Sequence, residues 1–138
     1  MTYTQTSLIL THGATLEMLR AAAAKAEEIG QPQCIVIVDA SGETLGQLRM
    51  TGAKYLSLKS ARAKARTAAS IGAATASIPE TVGLAIAAAT EGDVTRLGGG
   101  LPIHVQGQLV GGIGVGSGSP DQDIAVAQAA VSILEVGT

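Results

Sequence analysis

Leu97-Gly-Gly-Gly-Leu-Pro-Ile-His-Val-Gln-Gly-Gln-Leu-Val-Gly-Gly-Ile-Gly-Val-Gly-Ser-Gly-Ser-Pro-Asp-Gln-Asp123 holds half of the chain's 18 glycines. Two short apolar runs, Leu101 to Val105 and Gln108 to Val115, flank the pair Gln106-Gly107. That pattern predicts a tight β-hairpin, because the glycine takes the positive φ that a two-residue turn demands. The second run passes through Gly116–Gly118 into Ser119-Pro120-Asp121-Gln122, which predicts a helix start. Ser119 is the N-cap, Pro120 the first helical residue, and Gln122 closes a capping box. Strand, glycine-rich turn and helix N-terminus in succession leave backbone N–H groups directed at a ligand. The same glycines equally serve tight turns and close helix–sheet contact, and the stretch alone leaves both readings open.

Outward from this stretch, Thr15 to Ile29 places Leu16, Leu19, Ala22, Ala23, Ala26 and Ile29 at helical spacing. Gly13 interrupts any earlier start near Thr6 or Ser7, while Gly30 and Pro32 end the helix. Ile35 to Asp39 is an unbroken β-branched run, expected as a strand buried on both faces. Ser41-Gly42-Glu43 turns the chain into a partner strand over Thr44 to Met50. Leu56 to Ala69 predicts an alanine-rich helix, Pro79-Glu80 opens a shorter one to about Ala89, and Pro120 to about Glu135 forms the last. The order α, hairpin, α, α, hairpin, α favours an antiparallel sheet with helices on both faces. The expectation is a single domain over residues 1–138, an α/β fold of three layers (α/β/α) with a central antiparallel sheet of about five strands.

Composition narrows the function. With two tyrosines and no Phe or Trp, the core must be built from Ala, Val, Ile and Leu, and only Tyr3 and Tyr55 can stack on bases. A net charge of −2 gives no general attraction to nucleic acid, so no nucleic-acid role is expected. The single Cys34 allows no internal disulfide, and zinc-type cysteine spacing is absent, so no metal site is expected. The N-terminus lacks the basic segment of a signal peptide, and no apolar run reaches spanning length. These features predict a cytoplasmic protein without a membrane segment. The alanine-rich, aromatic-poor helix faces are compatible with a homo-oligomer.

Five segments in order resemble the GlcG/HbpS (DUF336) family, which also supplies the C-terminal part of PduO-type proteins. They are Val38-Asp39-Ala40-Ser41-Gly42, Arg49-Met50-Thr51-Gly52-Ala53, Lys64-Ala65-Arg66-Thr67-Ala68, Gly99-Gly100-Leu101-Pro102-Ile103, and Gly114-Val115-Gly116-Ser117-Gly118-Ser119-Pro120-Asp121-Gln122-Asp123. The resemblance covers nearly the whole chain and implies a helix-flanked sheet assembled into homo-oligomers, from dimers up to an octamer. Some members bind haem, while others accompany small-molecule catabolism without a redox cofactor. The family resemblance thus supplies a fold rather than a reaction. Thr51 stands where the family often carries Asp, which removes a carboxylate from that motif.

The residues themselves offer two kinds of chemistry. In the first, Arg49 at a strand end grips an anion. Lys64 and Thr67, one helical turn apart, join it, and Asp123 in the first turn of the last helix exchanges a proton. Asp123 has a structural role open to it as well, since a carboxylate there complements the helix dipole. The expected catalytic pair is Asp123 and Lys64. Arg49, Thr67, Gly99, Gly100, Pro102 and Ser117 are the expected substrate-binding residues, meeting, within one chain or across a subunit boundary, where the strand end, the helix face and the glycine turns converge. This chemistry needs no cofactor: the substrate is a small anionic or carbonyl-bearing molecule, hydrolysed, isomerised or tautomerised. The alternative is a non-catalytic haem-binding or sensing module with His104 or His12 as ligand. The two separate on geometry, since the first needs the polar cluster to converge and the second an apolar slot beside a histidine.

Overall fold

The computed structural model describes residues 1–136. Helix α1 (His12–Glu28) is capped by the Thr11 hydroxyl, which accepts from the Ala14 N–H. Gly13 therefore lies inside the first turn rather than breaking the helix, because the cap lies ahead of it. Strands β1 (Cys34–Asp39) and β2 (Thr44–Arg49) form the first hairpin. Helix α2 (Ser57–Ile71) ends at Gly72 in the left-handed conformation, and α3 (Glu80–Ala89) follows a short 3₁₀ turn. The second hairpin joins β3 (Gly100–Val105) to β4 (Gln108–Gly116), and α4 (Pro120–Val136) closes the chain. At the hairpin tip Gln106 and Gly107 both take positive φ, 51° and 76°, as a type I′ turn requires.

The strands form one antiparallel sheet in the order β2-β1-β4-β3. Among the described residues it has four strands rather than the expected five, since each hairpin supplies two and no further segment joins either edge. Ile35 and Ile37 of β1 face α1 and α4, joining Met18, Ala22, Ala26, Val126, Ala127 and Ala130 in the larger core cluster. Cys34, Val36 and Val38 point the other way, against Ala61, Ala65 and Ala69 of α2. The central strand is thus apolar throughout because both of its faces are covered.

On the α2 side the layers meet backbone to backbone. A β-carbon on Gly112 would overlap the Ala65 carbonyl oxygen, and one on Gly114 the Ala61 carbonyl oxygen; one on Gly116 would press on Ser57. Alternate strand residues advance roughly 6.7 Å, close to the rise of about 6.0 Å over four helical residues. Residues 57, 61 and 65 therefore stay in step with glycines 116, 114 and 112, and any side chain there would lift the helix. For β4, the close-contact reading of the glycines is the one that applies.

Candidate functional site

Lys64 and Asp123 are brought together. The Lys64 Nζ lies 3.0 Å from Asp123 Oδ2 and donates to the Val115 carbonyl at 2.8 Å; the two residues are 4% and 3% exposed. An ion pair this deep persists only with its remaining valences met. Asp123 Oδ1 accepts from the Gly118 N–H at 3.0 Å. Gly99 leaves room for the ammonium, since a β-carbon there would stand 3.2 Å from Nζ and 2.8 Å from the Asp123 β-carbon. An ammonium has three donors, and these two bonds use two of them.

The pair forms the floor of a hollow of about 310 Å³ lined also by Lys54, Ser57, Ser60, Ser117 and Gly118. Its size falls at the small end of ligand sites. Ser57, Ser60 and Lys64 share one face of α2 at helical spacing. The Ser117 hydroxyl accepts from the Lys54 N–H at 3.0 Å, tying the loop before α2 to the loop before α4. Ser119 and Gln122 form the capping box: the Gln122 N–H donates to the Ser119 hydroxyl at 3.3 Å and the Ser119 N–H to Gln122 Oε1 at 2.9 Å. These donors of the α4 N-terminus are therefore satisfied within the chain, and the anion the helix end holds is the carboxylate of Asp123.

Several expected binding residues lie elsewhere. Arg49 is exposed at the end of β2 and borders a separate hollow of about 560 Å³ beside Leu48, Met50 and Gln31. It lies on edge strand β2, with β1 between it and β4, whose Val115 carbonyl holds Lys64, so sideways distance across the sheet separates it from Asp123. Burial pushes the Cys34 thiol above its ordinary value, and the Arg49 charge offsets part of that rise. Thr67 is fully buried and anchors the approach to β3, donating to the Asp93 carbonyl and accepting from the Thr95 N–H, both at 3.0 Å. Gly100 is pressed against Thr75 and the Lys64 backbone, and Pro102 sits half-buried within β3, paired with Gly112. Of the expected set, only Lys64, Asp123, Ser117 and the neighbouring Gly99 gather at the hollow. Lys54, Ser57 and Ser60 join them unannounced, although the Ser57, Ser60, Lys64 spacing on α2 was a readable signal.

His12 opens α1 and His104 lies on edge strand β3; both side chains are exposed, and neither lines the two hollows just described. A β-bulge between Ile103 and His104 shifts the register there. An exposed imidazole, at a helix start or on an edge strand, needs a further surface to cover a haem bound to it.

Comparison with known proteins agrees with the architecture. Corrinoid adenosyltransferase PduO of Salmonella typhimurium is 35% identical over 127 residues, covering 88% of this chain but 38% of that protein. The chain thus spans well under half the length of that relative. The crystal structure of Klebsiella pneumoniae protein ORFY superposes with a TM-score of 0.93 at 29% identity, over 98% of this chain and 97% of that one. The PduOC–haem complex superposes with a TM-score of 0.85 at 31% identity, over 91% and 94%. The family model described as haem degrading protein HbpS-like matches residues 10–132, and the chain belongs to the HbpS-like family.

Proposed function

We propose that this chain binds a small carboxylate- or carbonyl-bearing molecule in the hollow above Lys64 and Asp123, and moves a proton on it without a redox cofactor. The observation that carries this reading is the buried pair itself, a carboxylate and an ammonium 3.0 Å apart in the floor of a hollow lined also by Lys54 and three serines. Asp123 takes a proton from a carbon or water beside the substrate carbonyl. Lys64 donates its remaining N–H to the oxygen on which negative charge develops. Isomerisation, tautomerisation and hydrolysis all use this division of labour. Lys54 at the rim adds positive charge for the approach of an anion.

Binding of a panel of small keto acids and hydroxy acids, followed by NMR of the Lys54, Ser117 and Gly118 amides, tests the site. Saturable shifts at these amides, lost in Asp123→Asn, are expected. A panel that moves none of them overturns the reading.

A second reading, haem binding, is favoured by one observation: the solved haem complex of PduOC, 31% identical to this chain. In this chain it rests on exposed His104 or His12, each needing a second surface to cover the haem. Haem titration checks it directly. A stoichiometric Soret band lost in His104→Ala or His12→Ala supports haem, and a featureless titration removes it. Homo-oligomerisation belongs with either reading, since Leu84 of α3 is 89% exposed beside exposed Val82 and Ile86. Light scattering of the full chain measures it. A cytoplasmic location is part of the same proposal; no described helix is long and apolar enough to cross a membrane.

A further inference from the structure

We propose that Gln33 is a positioning residue for Asp123, the reserve hydrogen-bond donor that takes over Oδ1 when a carboxylate ligand draws the Gly118 N–H into the hollow. This rests on the reading of the hollow as a ligand site and assigns a residue that the proton-transfer scheme leaves unused. Gln33 directly precedes β1, is completely buried, and neither its Nε2 nor its Oε1 has a hydrogen-bond partner. A buried carboxamide left unpaired is costly, and its persistence calls for a reason.

Its position supplies one. A β-carbon built on Gly118 would stand 2.7 Å from Gln33 Nε2 and 2.9 Å from both Asp123 Oδ1 and Gln122 Oε1. One unused donor and two acceptors therefore surround a space the width of a methyl group, which only glycine leaves open. Both acceptors are occupied from elsewhere, Asp123 Oδ1 by the Gly118 N–H and Gln122 Oε1 by the Ser119 N–H. The peptide that carries the Gly118 N–H is held at its other end by Gln31, whose Nε2 donates to the Ser117 carbonyl at 2.8 Å. Ser117 itself is a non-glycine residue at φ 91°, a strained conformation of the kind that collects at working sites. Tilting this peptide frees its N–H for a ligand carboxylate. Asp123 Oδ1 then loses a donor, and Gln33 Nε2, the unused donor that borders the same space, can turn to replace it. The charged groups facing Asp123 are Lys64 from α2 and, across the hollow, Lys54. Neither can substitute at Oδ1, because Lys64 already serves Oδ2 and Lys54 stands at the rim.

The test uses pyruvate, which carries both a carboxylate and a ketone, titrated into the labelled full chain and into Gln33→Leu. The Gly118 backbone amide and the Gln33 side-chain amide are expected to shift on one saturation curve. Gln33→Leu should keep or raise Tm, since it removes an unpaired polar group. It should bind pyruvate about tenfold more weakly, the fold-change that one hydrogen bond to a charged group carries. If Gly118, Ser117 and Lys54 respond while the Gln33 amide stays fixed, or if Gln33→Leu binds as the wild type does, the role of Gln33 is overturned and the hollow stands. If pyruvate moves no amide around the hollow, the ligand site and the role of Gln33 fall together.

Discussion

Helices α2 and α3 invert what their sequences advertise. Helix α2 carries Lys59, Arg62, Lys64 and Arg66, yet buries six residues, Lys64 among them. Helix α3, Glu-Thr-Val-Gly-Leu-Ala-Ile-Ala-Ala-Ala, has one charge and buries only Gly83, which lies under the Arg96 side chain. The difference lies in what each helix faces. Alanines at helical spacing on α2 meet glycines at strand spacing on β4, so the contact closes at backbone distance and carries a lysine inward with it. Among the described residues nothing comparable faces α3, and its Leu84 stays 89% exposed. Burial here follows complementary shape rather than apolar content.

Lys64→Ala should have the largest effect on this contrast. Removing one partner of a buried pair typically costs about 3–5 kcal/mol, because the other charge is left uncompensated. Urea unfolding should show that loss, and the double variant Lys64→Met with Asp123→Leu should recover most of it. A single variant as stable as the wild type would mean the pair is hydrated. Next comes Gly114→Ala, whose methyl must displace the Ala61 carbonyl. A cost of about 3 kcal/mol is expected, at the upper end for overpacking. Retention of wild-type Tm would break the backbone-contact account.

A smaller effect is expected at Cys34, where burial holds the thiol protonated. Its raised folded value means the contribution is complete below the ordinary thiol range and is lost as pH rises through the folded value. Stability of the wild type should therefore decline at alkaline pH more than that of Cys34→Val. Parallel curves for the two would show that the thiol ionises freely. Leu84→Ser on α3 should change monomer stability least, within about 0.5 kcal/mol, as for an exposed site. If it lowers the assembled mass without lowering Tm of the monomer, α3 covers itself in a second copy.

Much of this was legible in the chain. Gln106-Gly107 announced its turn, Ser119 to Gln122 its cap, and the Ile35–Asp39 run its two covered faces, because each depends on local geometry. Asp123 and Lys64 were legible as groups that converge, but the direct buried ion pair between them, across 59 residues, was not. Arg49 misled because a strand end does not say where its strand stands in the sheet; β2 is an edge, and β1 lies between it and β4. Thr67 misled because a buried hydroxyl that ties down an irregular segment looks, in sequence, like one that binds a substrate. Gln33 gave no signal, since a polar residue before an apolar run is an ordinary boundary.

The glycine seam of β4 also sets a timescale. With carbonyls of α2 standing where β-carbons would be, the helix has no side-chain layer to slide on and no partial separation that keeps some contacts. Amides of α2 and β4 should exchange with solvent deuterium only through global unfolding, while those of α3 exchange through local fraying. The lysine of the proposed site therefore stands on the slowest-opening part of the molecule, and the loop that touches it from α4 is left to do the moving.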